Sequence, residues 1–71
     1  MSLFKQAKAA QKIGDYNTAV LKYKLFLDKN DNSIFAKSAR YNLAKCYYQL
    51  KKYEEAKSLF ELIRAKAGNT S

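Results

Sequence analysis

The chain has 71 residues, 48% of them hydrophobic and 28% charged, which describes one folded domain rather than a disordered chain. It has one cysteine and no histidine, so an internal disulfide is excluded and the commonest metal ligand and general base are missing. The net charge is +8, there is no proline, and only two glycines interrupt the backbone, a balance that favours helix throughout.

The first predicted helix runs from Leu3 to Ile13, with an alanine-rich apolar stripe at Leu3, Ala7 and Ala10. Gly14 supplies a left-handed residue to end it, and Asp15 offers an N-cap oxygen to the next helix. That second helix, about Tyr16 to Lys29, carries a fuller stripe of Tyr16, Ala19, Val20, Tyr23, Phe26 and Leu27. Asn30, Asp31, Asn32 and Ser33 form a polar turn, with Ser33 expected as the N-cap of the third helix.

The third helix is predicted from about Ile34 to Leu50, placing Ala36, Ala39, Leu43, Cys46, Tyr47 and Leu50 on one face. At the turn that follows, Lys51 stands where the first turn has Gly14. This turn must therefore strain a residue with a side chain or close differently. Helix four, about Tyr53 to Ala67, turns Tyr53, Ala56, Leu59, Phe60 and Ile63 inward. Glu54 and Glu55 suit its N-terminal dipole, Arg64 and Lys66 its C-terminus, and Gly68 is expected to end it before a frayed tail of Asn69, Thr70 and Ser71.

The second half repeats the first. Tyr53, Ala56, Phe60 and Ile63 align with Tyr16, Ala19, Tyr23 and Phe26, each pair 37 residues apart (53 minus 16). A period of this size marks stacked helical hairpins, because each hairpin can bury its apolar face only against a neighbour. The fold expected is all-α, one domain over residues 1–71, with repeat one at about 1–32 and repeat two at about 33–68. Helix four has no polar capping helix after it, and Leu59, Leu62, Ile63 and Ala67 would leave apolar surface open to self-association or to further repeats.

The charge is unevenly placed. Met1–Ile13 holds three lysines and no acid, and Ser33–Lys52 holds five basic residues and no acid, so these two segments carry all of the +8. Tyr16, Tyr23, Tyr47, Tyr53 and Phe60 are expected in the inter-helix core and Cys46 as a small buried residue. Tyr41 and Tyr48 lie off the apolar stripe and are expected to contact a ligand.

The residues Tyr41, Asn42, Leu43, Ala44, Tyr47, Tyr48, Leu50, Tyr53, Glu54, Glu55, Ala56 and Phe60 resemble the tetratricopeptide repeat. Ala7, Gly14, Asp15, Tyr16, Ala19 and Tyr23 carry the resemblance into the first repeat. Phe26-Leu27, Asn32-Ser33, Ala36 and Ala39 are further similar to the longer-period repeats of bacterial cell-envelope assembly lipoproteins and of the periplasmic partner of the Tol-Pal system. The resemblance implies a peptide-binding groove lined by the first helix of each repeat. Its positions would be Phe4, Lys8, Gln11 and Lys12 from repeat one, and Ser38, Tyr41, Lys45, Tyr48 and Gln49 from repeat two. Asn42 matches one position at which some members clamp a carboxylate, but Lys8 stands where the clamp uses asparagine, so no complete clamp is implied.

Charge and resemblance together predict a non-enzymatic scaffold, without cofactor, that binds an acidic protein segment with an apolar anchor in a basic, tyrosine-walled groove. Two rival readings stand beside it. One is single-stranded nucleic-acid binding by the basic surface, disfavoured because only two of the basic residues are arginine; the other is a purely structural unit that assembles with its own copies. The N-terminal stretch carries lysine where a signal peptide needs an apolar core, which slightly favours the cytoplasm; a removed leader would point instead to the periplasm or cell envelope.

Overall fold

A computed structural model describes residues 2–68, with side chains through Ala65, as four α-helices: α1 Leu3–Lys12, α2 Tyr16–Lys29, α3 Ala36–Gln49 and α4 Tyr53–Gly68. The expected tail Asn69–Ser71 and the Ala67 side chain lie outside the described residues. The helices pack in chain order, α1 on α2, α2 on α3 and α3 on α4. The body measures 37 × 27 × 17 Å, the elongated shape of two stacked hairpins.

The two intra-repeat turns are built alike. In the first, Gly14 N–H donates to Gln11 O at 3.1 Å and Asp15 N–H to Ala10 O at 2.9 Å; in the second, Lys51 N–H donates to Tyr48 O at 3.0 Å and Lys52 N–H to Tyr47 O at 2.8 Å. This pair of bonds caps a helix C-terminus through a left-handed residue. Gly14 takes φ 86° and Lys51 takes φ 64°, so the second turn keeps the geometry and strains the lysine. Asp15 caps α2 as expected, its Oδ1 accepting from Thr18 N–H at 3.3 Å, and Ser2 caps α1 through Lys5 N–H at 3.2 Å.

The turn between the repeats differs from its expected form. Ser33 does not cap α3: its Oγ accepts from Phe35 N–H at 3.1 Å, closing a local turn, and α3 begins at Ala36 with no side-chain cap. Ile34 is consequently outside the helix and exposed. Asn30 holds the end of α2 through its Nδ2, which donates to Phe26 O at 3.2 Å. Arg40 Nη1 donates to Asp31 Oδ1 at 2.9 Å and ties the turn to α3.

The core explains why the helices sit close. Ala7, Ala10, Ala19, Ala36, Ala39, Ala44 and Ala56 are buried where helices meet, and Tyr23 and Cys46 are fully buried between them. Such small side chains let backbones approach, while Tyr23, Phe26 and Leu43 are the large apolar side chains buried among them. Each contributes about 1.5–3 kcal/mol of transfer free energy for a fully buried large apolar side chain. Val20, Leu27, Tyr16, Tyr47 and Leu59 close the margins, partly buried against this cluster.

Two expected core residues are not in the core. Tyr53 is 53% exposed and Phe60 is 38% exposed. Their repeat-one counterparts, Tyr16 and Tyr23, are covered because α3 follows them; no described helix covers α4 in the same way.

Candidate protein-binding groove

The α1–α2 hairpin presents its lysines in a row. Lys5, Lys8 and Lys12 line a cavity of about 530 Å³ together with Ala9, Gln11 and Asn42 of α3, and no acid lies in its wall. Their spacing of three and four residues puts them on adjoining turns of one helix face. Lys8 Nζ also stands 5.7 Å from the centroid of the Phe4 ring, a cation–π distance.

A hydrogen-bond chain fixes the floor. Tyr23 Oη donates to Gln11 Oε1 at 2.8 Å, Gln11 Nε2 donates to Asn42 Oδ1 at 3.3 Å, and Asn42 Nδ2 donates to Ser38 O at 2.9 Å. The chain runs from the buried core across α1 to α3. It commits the Gln11 and Asn42 side chains to structure. Burial pushes the Tyr23 hydroxyl from 10.0 up to about 12, with Cys46 adding to the rise, so Tyr23 stays a donor through the neutral range.

The remaining predicted groove residues gather elsewhere. Phe4 packs into an aromatic cluster, its ring centroid 6.1 Å from Tyr23, 5.4 Å from Phe26 and 5.3 Å from Phe35, and serves more as the support of Lys8 than as an open wall. Tyr41 and Tyr48 are 49% and 59% exposed, and Lys45 Nζ lies 5.4 Å from the Tyr41 ring. Lys45, Tyr48 and Gln49 share a smaller cavity of about 270 Å³ with Phe60. Ser38 is exposed and engaged through its carbonyl by Asn42. The nine predicted positions therefore fall into a basic half on α1 and an aromatic half on α3.

Sequence reasoning missed two contributors to the aromatic half. Phe60 meets the Tyr41 ring edge-on at 6.0 Å, and Tyr53 meets the Tyr48 ring at 5.2 Å. Both had been assigned to the core by their alignment with Tyr23 and Tyr16. The signal that could have found them is the absence of a helix after α4 to cover that alignment. Lys5, outside the nine expected groove positions, and Asn42, the clamp-matching position, also join the basic half.

Cys46 offers no chemistry at this surface. It is fully buried, and that burial pushes its thiol from 9.0 up to about 11, against a smaller downward pull from Lys45.

A family model of the tetratricopeptide repeat matches residues 5–71. The chain belongs to the tetratricopeptide repeat family. Searches of curated proteins and of solved structures found no match. Four helices in two hairpins, with the repeat turns closed alike, are the two-repeat form of this family. Tetratricopeptide repeats are generally non-catalytic interaction modules, so the function class is a protein–protein interaction scaffold. Among the described residues no helix is long and apolar enough to cross a membrane.

Proposed function

We propose that this tetratricopeptide repeat protein binds an acidic protein segment carrying at least one apolar anchor, laid across α1 and α3. The observation that carries the reading is the acid-free cavity of Lys5, Lys8 and Lys12, floored by Gln11 and Asn42. Carboxylates of the segment meet the lysines; the anchor meets Tyr41 and Tyr48 beside Lys45. Each exposed charge pair contributes about 0–1 kcal/mol and is screened over roughly 8 Å at physiological salt. Charge therefore sets orientation and encounter rate, and the tyrosines supply most of the affinity.

The test is a titration of a labelled peptide containing alternating glutamates and one leucine or phenylalanine against the folded protein, followed by anisotropy. Lys8→Glu with Lys12→Glu is expected to weaken binding roughly tenfold while helical content stays unchanged. Binding that is indifferent to this reversal, or that is equally strong for a lysine-rich peptide, overturns the reading.

A further inference from the structure

The face that receives α3 in repeat one is built a second time in repeat two, and there it is open. Tyr41 and Phe60 correspond to Phe4 and Tyr23 under the 37-residue offset. The Phe4 and Tyr23 rings lie 6.1 Å apart at 68°, and the Tyr41 and Phe60 rings lie 6.0 Å apart at 70°. Lys8 stands 5.7 Å from the Phe4 ring and its counterpart Lys45 stands 5.4 Å from the Tyr41 ring. In repeat one this face is covered: Phe35 stacks on Phe4, Asn42 bonds Gln11, and Cys46 lies close enough to raise the pKa of Tyr23. In repeat two the same place is a cavity of about 510 Å³ walled by Tyr48, Tyr53, Ala56 and Phe60, with Lys57, Glu61 and Arg64 at its side.

We infer that α1 of a second copy of this chain docks on the α3–α4 face as α3 docks on α1–α2, joining copies head to tail. The chain carries both halves of the contact. Under the same offset Ala39 and Cys46 of α3 and its C-cap Leu50 correspond to the α1 N-cap Ser2, to Ala9 and to the α1 C-cap Ile13, small for small and apolar for apolar. Ile13 is 80% exposed, and Ala9 is exposed beside it on the same helix. Lys5 falls at the place of Asn42, over Tyr48, which stands at the place of Gln11. Charge opposes the contact, since α1 is basic and the receiving face holds Lys57 and Arg64 beside Glu61, so its apolar surfaces must hold it. Gln6 stands where Leu43 is buried, so this contact is weaker than the internal one.

The contact is heterologous, using two different surfaces, and so it does not close on a dimer but adds copies in a row. Each addition places another α1 beside α3 and continues the lysine-lined groove from one copy to the next. Copies with a charge of +8 repel one another, so raising salt strengthens the association. Binding of an acidic segment by the groove has the opposite salt dependence, which keeps failure of one reading distinct from failure of the other.

The experiment is solution mass by light scattering and sedimentation, at increasing protein concentration, in low and high salt. The mass is expected to climb from 8.2 kDa past twice that value without a plateau, and further at high salt. Ala9→Arg blocks the donor face and Tyr53→Arg blocks the receiving face; each variant alone is expected to stay at 8.2 kDa, and an equimolar mixture to form a dimer and stop. Glu61→Arg, exposed in the same cavity, replaces Tyr53→Arg if that variant loses its helical signal. A wild-type protein that stays monomeric into the millimolar range overturns the inference. So does a mass that plateaus at the dimer, or a pair of variants that assemble as the wild type does.

Discussion

The rings of Tyr48, at the end of α3, and Tyr53, at the start of α4, meet edge to face with centroids 5.2 Å apart and planes at 66°. Between them the chain reverses through Lys51 at φ 64°. The aromatic contact and the strained lysine belong to one turn, because the reversal that forces the lysine into the left-handed region also brings the two tyrosines together. A contact of this kind contributes about 0.5–1.5 kcal/mol, which offsets part of the roughly 1–2 kcal/mol strain of one left-handed residue.

The turn therefore responds to glycine. Lys51→Gly is expected to stabilise the protein by about 1 kcal/mol, because glycine adopts this φ without the Cβ clash. Gly14→Ala, at φ 86° in the matching turn, is expected to destabilise it by a similar amount, although the space around that position is open. Urea denaturation of the two variants checks both signs, and a loss of stability in Lys51→Gly refutes the strain account.

Tyr23 ties the core to the groove floor through Gln11. Tyr23→Phe keeps the ring and removes the hydroxyl, and is expected to cost about 0.5–1.5 kcal/mol, the net value of one hydrogen bond. A double-mutant cycle with Gln11→Ala should show coupling of the same sign. Independent costs for the two changes would mean that the 2.8 Å bond carries no stability.

Alkaline pH acts on the same place. Cys46 is raised from 9.0 to about 11 and Tyr23 from 10.0 to about 12, both by burial first. Below pH 9.0 the folded and unfolded chains hold both protons and stability is at its full value. Above it the unfolded chain ionises first, so stability falls with rising pH and the loss is complete near pH 12. Denaturation midpoints between pH 7 and 11 measure this, and Tyr23→Phe is expected to flatten the upper part of the slope.

Tyr41 and Tyr48 form the anchor of the proposed groove. Replacing both with alanine is expected to weaken an acidic, apolar-anchored peptide at least tenfold, or about 1.4 kcal/mol, in a protein that still folds. Calorimetry on the double variant reads this directly. Unchanged affinity would remove the tyrosines from the site and leave only the lysine row.

Much of the fold was legible because its causes are local. The stripe of Tyr16, Ala19, Tyr23 and Phe26 fixed the buried face of α2, Gly14 and Asp15 marked the turn between α1 and α2, and Lys51 narrowed the second turn to strain or a different closure, between which φ 64° decides for strain. Ser33 misled because two residues, Ile34 and Phe35, separate a good capping side chain from the helix that begins at Ala36, and the hydroxyl closed its own turn instead. The lysine row on α1 was also legible, since i, i+3 and i+7 spacing on a helix needs no tertiary information.

By itself the sequence determined the all-α class, the 37-residue repeat, the first repeat's turn and the location of the charge. All of these depend on residues near one another along the chain. Only the tertiary structure decided that Gln11 and Asn42 bond to each other beneath the lysines, that Phe4 is a support, and that Tyr53 and Phe60 stand open beside Tyr48 and Tyr41. The reason is physical: an apolar stripe states that a face can be buried, but burial requires a neighbour. Tyr23 has α3 against it, whereas Phe60, its repeat counterpart, has none within the described chain.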